Sequence, residues 1–558
     1  MRNPQATRCF RTARDVLLRH RTDLQAARQA FTWPDMVRFN WALDWFDVIA
    51  QDNDRIALHL IGNTGNTRVS YSGLARRSDQ VAGWLREIGV RRRDRILLAL
   101  PNGLPLWETM LAAIKLGAIV VPTYPTAPPS DLADRIHRAD VSHVLTEHGL
   151  TDKFAGIPGS WTPICTGPAP AGWLSYDTSL HAPDGPFEPD GPTGADDPLF
   201  CYFTSGTTSR PKMVLHTHTS YPVGHLSGMY WNGVQPGDVH VNIAAPGWAK
   251  HSWGSFFVPW NAEATLLAFT APHTPPPAIL DALRTHGVNT FCAPPTVWRS
   301  LLAEGLGDAP PALREATSAG EPLEASLIEQ VAAAWGVWLR DGYGQTETTC
   351  QIGNPPGRRP EPGSMGWPMP GYETVVTEPG GNAATPTGEV GELCVDLANR
   401  PAGMMSGYLG DGARTAAAFT GGRYHTGDLV TRDASGALRY HGRDDDMFKS
   451  FDHRIAPLEL EAAILDHPAV AQAAVVPVPD PVGLWIPKAF VVPAPGWPAR
   501  EDTARLVLQH ASTRLPGEKM IKVLQFVEAL PVATSGKIQR GRLRTVQAAE
   551  SEEFRVSA

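Results

Sequence analysis

The chain has 558 residues, of which 42% are hydrophobic and 19% are charged, and its formal net charge is −8. This length allows three or four domains with buried cores, and the composition excludes a disordered chain or a coiled coil. The mild acidity argues against nucleic acid as an electrostatic partner. No apolar run comes near the roughly 18 residues that a membrane helix needs.

The terminus and the cysteines favour a cytoplasmic protein. The first 20 residues are rich in arginine and lack the apolar segment of a secretory signal, so we expect a polar lead-in. None of the six cysteines forms a CxxC pair, which argues against a disulfide framework or a zinc site and favours buried thiols. The chain has only nine lysines against forty arginines, so each lysine is of functional interest.

Helical and strand patterns alternate through the first half of the chain. Apolar periodicity predicts helices at 71–88 and 106–116 and strands at 95–100 and 118–122. This alternation predicts a parallel sheet covered by helices. Residues 158–198 are rich in Pro, Gly and Asp, and we expect them to form connecting surface.

The second half changes character twice. A break at 271–277 precedes a predicted helix at 279–285 and a predicted strand at 288–292. Short strands with turn pairs predict a small β-rich, barrel-like subdomain at 360–440. The last 114 residues show a mixed pattern, with predicted helices at 458–465 and 502–515 and a predicted strand at 470–478. We therefore predict an α/β fold with a large N-terminal domain at 1–444 and a small α+β domain at 445–558.

A candidate phosphate-binding loop follows the apolar strand predicted at 199–203. Glycine allows close approach of the backbone to a ligand, while hydroxyls, N–H groups and a lysine can meet phosphate oxygens. The order of residues is not that of a Walker A loop, and an ordinary Ser/Thr-rich surface loop is the alternative. The candidate residues are Thr204, Ser205, Gly206, Thr207, Thr208 and Lys212.

The loop TSGTTSRPKMV resembles the signature of AMP-forming acyl-CoA synthetases, the adenylating superfamily shared with luciferases and peptide-synthetase adenylation domains. Ser209 stands where this family usually has glycine, which is a mild departure. The resemblance implies ATP, or an acyl-AMP, and CoA as substrates, with Mg²⁺ as cofactor. It also implies that the C-terminal domain is mobile.

The sequence DGYGQTE at 341–347 resembles the adenine-and-metal motif of this family. The resemblance assigns Thr346 to the phosphate and Glu347 to Mg²⁺, and a carboxylate oxygen is a ligand that this hard cation prefers. A polar turn after a strand at 337–339 is the alternative. The resemblance adds seven residues to the nucleotide site: Gly320, Glu321, Pro322, Asp341, Gly342, Tyr343 and Gln345.

The motif YHTGD at 424–428 implies that Asp428 binds the ribose hydroxyls, which one carboxylate can accept together. By resemblance, Arg443 meets the ribose or a phosphate and Asp445 is the hinge between domains. Without the flanking motifs, a solvated acidic turn is the alternative for this segment. The sequence TSGKIQR matches the catalytic-lysine loop, in which Lys537 would stabilise negative charge at the α-phosphate.

The sequence AAPGWAKHSW at 244–253 resembles the medium-chain branch of the family, and the likeness covers nearly the whole chain. It implies an acyl pocket lined by Trp248, Lys250, Trp253 and Ala319. Acetate-selective relatives have tryptophan at the position of Gly344, so this glycine predicts room for a medium-sized or bulky hydrophobic acid, each buried methylene contributing about 0.8 kcal/mol. Ordinary core packing of the tryptophans, or refilling of the space by other side chains, is the alternative.

The clearest departure from the family lies at Phe451 and Asp452, where many relatives have Ser-Gly. The resemblance places this position beside the pantetheine tunnel, where a missing side chain matters for access. Arg454 corresponds to an arginine that meets a CoA phosphate. These departures could reshape the tunnel or change which half-reaction runs well.

Four functions follow in order of preference. The first is a two-step ligase that makes an acyl-AMP and transfers the acyl group to the CoA thiol. The second is a chain that makes only the thioester, from an acyl-AMP supplied by a partner enzyme; Ser209, Asp444, Phe451 and Asp452 motivate it. The third loads a carrier-protein thiol, and the fourth is a non-catalytic nucleotide-binding protein, against which Lys537 argues. The resemblance allows a homodimer, and the sequence does not name the acid.

Overall fold

The computed structural model describes residues 2–62, 65–204, 210–451, 453–480, 484–515, 519–532, 538–544 and 553–555. The chain forms two compact units. Unit 1 comprises Met1–Thr374 and Val395–Tyr424, and unit 2 comprises Val375–Cys394 and His425–Ala558.

The strands follow one another along the chain as three groups. The first group is β1 (Ile56–Gly62), β2 (Gly65–Ser70), β3 (Arg95–Ala99), β4 (Ile119–Pro122), β5 (His143–Glu147), β6 (Thr162–Thr166), β7 (Leu174–Ser175), β8 (Pro198–Thr204), β9 (Lys212–Thr217), β10 (Val239–Asn242), β11 (Thr265–Phe269), β12 (Thr290–Cys292), β13 (Glu315–Ala319), β14 (Leu339–Gly344), β15 (Cys350–Gly353) and β16 (Trp367–Pro368). The second group is β17 (Thr374–Thr377), β18 (Val390–Asp396), β19 (Gly407–Tyr408), β20 (Phe419–Thr420), β21 (Arg423–Arg432) and β22 (Leu438–Arg443). The third group is β23 (Phe448–Ser450), β24 (His453–Ile455), β25 (Val470–Asp480), β26 (Leu484–Pro493), β27 (Val523–Phe526) and β28 (Glu553–Arg555).

The helices fall into two groups according to the unit to which they belong. Those of unit 1 are α1 (Pro4–Arg19), α2 (Leu24–Ala30), α3 (Asp47–Ala50), α4 (Tyr71–Glu87), α5 (Leu104–Leu116), α6 (Pro129–Arg138), α7 (His225–Asn232), α8 (Ala249–Ser252), α9 (Val258–Asn261), α10 (Pro276–Thr285), α11 (Pro295–Glu304), α12 (Ala325–Trp335) and α13 (Gly412–Ala418). Those of unit 2 are α14 (Pro457–Leu465), α15 (Glu501–Ser512) and α16 (Arg540–Leu543). Among the described residues, no helix has the length and apolar character needed to cross a membrane.

Two large sheets organise unit 1. In the described residues, one sheet has the order β16-β15-β14-β13-β12-β10-β11-β1-β2 and the other the order β19-β9-β8-β4-β3-β5-β6-β7. The central strands of both sheets pair in parallel. Antiparallel strands close both edges of the first sheet and the β19 edge of the second, whereas β7 pairs in parallel with β6 at the remaining edge. The predicted α/β class with parallel-rich sheets and helices is therefore confirmed. In open sheets of this kind, ligands bind outside the carboxyl ends of the parallel strands, where β13 and β14 end.

Local sequence explains why the predicted helices form. The Ser70 side chain caps α4 by accepting from the Gly73 N–H, and the buried face of α4 includes Leu74 and Leu85. Helix α5 ends at Gly117, whose φ of 73° is the left-handed conformation that glycine adopts most readily. Both helices contribute to the main apolar core of unit 1.

The structure corrects three expectations. The polar lead-in is an amphipathic helix, α1, whose Phe10 and Leu17 are buried. Residues 158–198 are not only connecting surface, because β6 and β7 extend the second sheet; the apolar content of β6 is too short to show periodicity, with only Ile164 and Cys165 buried. The strand predicted at 337–339 begins two residues later and runs to Gly344, so the first four residues of the DGYGQTE motif lie on a strand. The remaining three, Gln345 to Glu347, form a turn in which the Thr348 N–H donates to the Gln345 carbonyl at 3.2 Å.

Unit 2 has its own sheets and core. Strands β21 and β22 form an antiparallel pair, β23 pairs with β24, and β25 to β28 form a further sheet. Helices α14 and α15 pack with this sheet around Leu460, Val475 and Leu524. The predicted helices and strand of this region are present within a few residues of their expected limits.

Candidate active site

Tyr408 joins two of the predicted nucleotide-site residues in unit 1. Thr204 ends β8 and Lys212 begins β9, and their Cα atoms pair across this antiparallel hairpin. The Lys212 ammonium lies 5.1 Å from the centre of the Tyr408 ring, and the Tyr408 hydroxyl donates to Glu347 Oε1 at 2.9 Å. The remaining predicted loop residues, Ser205, Gly206, Thr207 and Thr208, lie outside the described residues.

Thr346 is held by a buried histidine on β9, the strand that pairs with the strand of Tyr408. His216 Nε2 lies 2.7 Å from the Thr346 carbonyl oxygen, and His216 Nδ1 lies 2.9 Å from Ser220 Oγ. Because a carbonyl oxygen only accepts, Nε2 carries the hydrogen and Nδ1 accepts from the Ser220 hydroxyl. Burial lowers the pKa of His216 to about 4, which keeps the ring neutral at neutral pH. The backbone of the DGYGQTE motif is thus fixed by a residue 130 positions earlier in the chain.

The rest of this motif lies on β14 and just after it. The Asp341 carboxyl is buried and accepts from the Gly342 N–H at 2.9 Å, and burial raises its pKa well above the usual range. Tyr343 is half-buried on the same strand. Gln345 Oε1 accepts from the Tyr424 hydroxyl at 2.7 Å, so Tyr424 of the YHTGD motif is joined to the DGYGQTE motif within unit 1.

Three predicted acyl-pocket residues meet beyond the end of β13. The buried Lys250 ammonium donates to the Ala319 carbonyl at 2.9 Å and lies 5.5 Å from the centre of the Trp248 ring. Burial lowers the pKa of Lys250. Gly320 has a φ of +110°, and a Cβ there would lie 3.1 Å from the Trp248 ring. Trp248, Lys250 and Ala319 therefore form one wall.

The two residues after Gly320 lie on the more exposed side of this wall. Glu321 Oε2 lies 3.4 Å from Arg299 Nη2, a partly exposed ion pair. Pro322 is exposed at the following bend. Their position after β13 matches the expected place of a segment at the carboxyl edge of the sheet.

The two other predicted acyl-pocket residues, Trp253 and Gly344, have separate surroundings. The Trp253 ring contacts His225 and Trp231, each with ring centres 5.8 Å apart. A Cβ at Gly344 would lie 2.2 Å from the Thr349 carbonyl oxygen. Backbone therefore occupies the space next to Gly344, and this glycine is required by local close approach rather than left by an empty pocket.

The predicted ribose-binding residues lie together in unit 2. Asp428 is buried, and its Oδ1 accepts from the Tyr440 hydroxyl at 3.0 Å and lies 3.4 Å from Arg443 Nη1. Arg443 also donates to the Thr426 carbonyl at 2.9 Å. A buried glutamate, Glu392, supports this motif by accepting from the Gly427 N–H at 2.9 Å.

The predicted hinge and CoA-side residues follow in the chain. Asp445 Oδ1 lies 3.4 Å from Arg443 Nε. Phe451 is exposed and has a φ of 47°, a conformation that non-glycine residues rarely adopt. Arg454 lies on β24, where its Cα pairs with Lys449. Asp452 and Lys537 lie outside the described residues.

A buried ion pair anchors the segment that follows Lys537. Arg540 makes two hydrogen bonds to Glu461, at 2.9 Å to Oε1 and 2.7 Å to Oε2. Glu461 also accepts from the Val475 N–H at 2.7 Å. Burial raises the pKa of Glu461, which the arginine partly offsets. The end of the predicted lysine loop is thus attached to α14 and β25.

Comparison with known proteins identifies the family. Residues 45–409 match the AMP-binding enzyme family, and residues 459–537 match the AMP-binding enzyme C-terminal domain. The first match covers well over half of the chain. The chain belongs to the AMP-binding enzyme family.

Relatives within the AMP-binding enzyme family are ligases of carboxylic acids and coenzyme A. The chain is 35% identical to 4-hydroxybutyrate–CoA ligase 1 of Metallosphaera sedula over 91% of each protein. It is 31% identical to the human mitochondrial acyl-coenzyme A synthetase ACSM3, over 86% of this chain and 84% of that protein. Among solved structures, a benzoate CoA ligase from Burkholderia xenovorans has a TM-score of 0.78 at 29% identity, covering 91% of this chain and 100% of the other.

These relatives make the class of reaction clear. This AMP-binding enzyme is an AMP-forming acid–thiol ligase, so its substrates are a carboxylic acid, ATP and CoA. The recognised family resemblance, including its medium-chain branch, is confirmed.

Sequence reasoning missed the residues that position the motifs. His216 contacts Thr346, and Tyr408 contacts Glu347. In the same way, Glu392 contacts Gly427. Each of these residues is far from its partner in the chain. His216 stands four residues after Lys212 on a strand, where a histidine in the sequence LHTHTS was the only available signal. Tyr408 lies in a Gly-Tyr pair that gives no signal of its own.

Proposed function

We propose that this ligase carries out both half-reactions on a medium-sized or bulky hydrophobic carboxylic acid. In the first, the acid's carboxylate oxygen bonds to the α-phosphorus of ATP and the bond to pyrophosphate breaks. In the second, the CoA sulfur bonds to the acyl carbon, the bond to AMP breaks, and the thiol proton leaves to solvent. The observation that carries this proposal is the tandem Thr346-Glu347, whose Thr346 carbonyl is held by His216 and whose Glu347 carboxylate is held by Tyr408.

The first half-reaction needs positive charge and hydrogen-bond donors around the phosphates. In this proposal, Lys212 and the loop that begins at Thr204 bind the phosphates, and Thr346 contributes its hydroxyl. Lys537 stabilises the charge that builds at the α-phosphate. Asp341 to Gln345 and Gly320 to Pro322 bind the adenine side, and Asp428 with Arg443 binds the ribose.

The donor set around Glu347 fits Mg²⁺. Glu347 is buried, and Tyr408 engages its Oε1 only. Among the described residues, no donor reaches Glu347 Oε2, so this oxygen can serve a hard cation. When bound there with the ATP phosphates, Mg²⁺ would neutralise phosphate charge.

The second half-reaction is assigned to the C-terminal part of the chain. We propose that residues 445–558 form a mobile domain that moves at Asp445 between the two half-reactions, with Phe451, Asp452 and Arg454 on the CoA side. Phe451 supports a role for local backbone strain at this position, because its φ is 47°. The hinge, the cytoplasmic location and a homodimer stay predictions.

The wall of Trp248, Lys250 and Ala319 supports an acid with an extended apolar part. The relative from Metallosphaera sedula acts on 4-hydroxybutyrate, and that from Burkholderia xenovorans acts on benzoate. The Trp248 ring and the stem of a buried lysine offer mainly apolar surface to such acids. We do not assign one acid, because both chain and ring substrates suit such a wall.

ATP–pyrophosphate exchange and thioester formation, measured on a panel of C4 to C8 and aromatic acids, test the proposal. We expect both reactions with the same acids, and loss of exchange in Lys537→Ala with thioester formation from synthetic acyl-AMP largely retained. Thioester from acyl-AMP but none from acid and ATP would favour a chain that catalyses only the second half-reaction. Acyl transfer to a carrier protein but not to CoA would favour a loading module. No product with any acid or with acyl-AMP would refute the proposal.

A further inference from the structure

Two buried side chains lack partners at both of their polar ends, and one of them, His225, contacts the predicted acyl-pocket residue Trp253. His225 is 1% exposed and Gln351 is 0% exposed. Among the described residues, neither ring nitrogen of His225 and neither amide atom of Gln351 has a hydrogen-bond partner. Such groups cost free energy unless a further molecule satisfies them, so both need an explanation.

Aromatic rings leave only the edge of His225 available. The imidazole stacks on Trp253 with ring centres 5.8 Å apart and on Phe257 at 5.7 Å. Tyr221 meets it edge-on at 4.3 Å. Since apolar surfaces occupy its faces, a partner must approach along the ring edge, where the nitrogens lie. Trp253 is also one of the predicted acyl-pocket residues.

Gln351 lies on the strand that follows Gly344. The Cα atoms of Gly344 and Cys350 pair, those of Tyr343 and Ile352 pair next, and Gln351 lies between them at a bulge. Bulges commonly redirect a side chain near an active site. The backbone is nevertheless held, because the Gln351 carbonyl accepts from the Met369 N–H at 2.9 Å.

Hydrogen bonds tie the two elements together next to Gly344. The Thr349 hydroxyl donates to the Gly224 carbonyl at 2.8 Å and lies 3.1 Å from the Ser227 hydroxyl. Thr349 precedes Gln351 by two residues, and Gly224 immediately precedes His225. The carbonyl of Thr349 also fills the space next to Gly344. His225 and Gln351 therefore flank one junction between α7 and β15.

We propose that His225 and Gln351 hydrogen-bond a hydroxyl group on the acyl part of the substrate, so that the preferred acid is hydroxylated. This inference rests on the proposed function and names the substrate class of the same site. A neutral imidazole and a carboxamide each offer a donor and an acceptor, and a hydroxyl can donate to one while accepting from the other. Burial lowers the pKa of His225 well below its ordinary value, consistent with a neutral ring.

A second carboxylate on the acid fits this place poorly. It would be buried against the aromatic rings that pack around His225, and a neutral imidazole supplies no positive charge to it, which is unfavourable. A hydroxy acid and a dicarboxylic acid of equal length therefore separate the two chemistries in one assay.

The test compares pairs of acids that differ only by a hydroxyl, such as 4-hydroxybutyrate with butyrate and 4-hydroxybenzoate with benzoate, and includes succinate. For the wild-type enzyme we expect kcat/KM for pyrophosphate release to favour the hydroxylated member of at least one pair by about tenfold or more, with succinate poorer still. In His225→Phe and Gln351→Met this ratio should fall toward one. The change should come mainly from KM of the hydroxylated acid, with the plain acid unaffected or improved.

His218→Phe is the matched control. His218 is equally buried and also lacks partners at both nitrogens among the described residues. It lies at the opposite end of β8 from Thr204, where its N–H donates to the Asp197 carbonyl at 3.1 Å. This variant should keep the wild-type ratio. His225→Asn, which retains a donor and an acceptor, should recover part of the preference if His225→Phe loses stability.

The outcomes separate the inference from the proposed function. A wild-type enzyme that prefers the plain member of every pair, or variants that keep the hydroxyl preference, would overturn the inference while leaving the ligase reaction intact. An absence of pyrophosphate release and thioester with every acid would instead overturn the proposed function. The wild-type comparison alone decides the substrate class, and the variants decide the residues.

Discussion

Replacing His216 with phenylalanine should slow adenylation without removing any group that touches the substrates in our proposal. The change keeps a planar ring in a buried space but removes the 2.7 Å bond to the Thr346 carbonyl and the 2.9 Å bond to Ser220. A buried carbonyl left without its donor costs about 1 to 3 kcal/mol. If the whole of this free energy raises the activation barrier of the first half-reaction, the rate falls by about 5- to 150-fold.

ATP–pyrophosphate exchange measures this step directly. We expect kcat for exchange to fall in His216→Phe, with little change in KM for CoA or in thioester formation from synthetic acyl-AMP. Ser220→Ala is the matched control, because it removes the bond to Nδ1 but leaves the Nε2–Thr346 bond, and it should cost much less. An unchanged exchange rate in His216→Phe, or equal losses in both half-reactions, would refute the positioning role.

Four further substitutions test the site and the stability of unit 1. Tyr408→Phe removes the 2.9 Å hydrogen bond to Glu347, and we expect the Mg²⁺ concentration needed for half-maximal exchange to rise by about fivefold to tenfold. Glu347→Gln should abolish Mg²⁺-dependent exchange. Identical Mg²⁺ titrations of the wild type and both variants would contradict this expectation. Lys115→Met leaves buried Asp47, 2.8 Å from the ammonium, without its cation and should cost about 3 to 5 kcal/mol in urea unfolding; a loss below about 1 kcal/mol would exclude a structural role for the pair. Burial lowers the pKa of His218 to about 3, so unfolding takes up a proton as pH falls below 6.5 and the wild type loses stability there. As the pH is lowered from 6.5 to 5, the free energy of unfolding of His218→Phe should therefore rise relative to that of the wild type by about 1.4 kcal/mol per pH unit. A difference in stability that does not depend on pH would contradict the lowered pKa of His218.

Regular elements with clear periodicity were predictable from the sequence, and short ones were not. The helix expected at 71–88 is α4, and the strand expected at 95–100 is β3. Strand β6 was not predicted, because only two of its five side chains are buried and they are adjacent, so the sequence shows no alternation of apolar and polar residues. Its place in the sheet, between β5 and β7, is decided by pairing with both strands, which local sequence does not encode.

The motifs of the candidate site could be predicted from the sequence because each is a short, continuous string of unusual residues. The residues that hold these motifs in place could not be predicted, because their contacts join distant parts of the chain. His216 and Thr346 are 130 residues apart, and Tyr408 and Glu347 are 61 residues apart. A histidine on a strand and a tyrosine after glycine are common, so only their tertiary partners reveal a role.

Gly344 has a local structural role that the resemblance to other family members does not bring out. Resemblance to relatives with tryptophan at this position suggested that glycine opens the acyl pocket. In the structure, the Thr349 carbonyl lies 2.2 Å from where a Cβ would be, so any side chain at 344 requires the β14–β15 bulge to change. The shape of the acyl pocket therefore depends on the path of β15 as well as on the size of residue 344. A Gly344→Trp variant should lose stability together with activity, rather than simply shifting its preference toward acetate; a stable, acetate-preferring variant would show that the bulge adapts and that residue 344 alone sets the pocket depth.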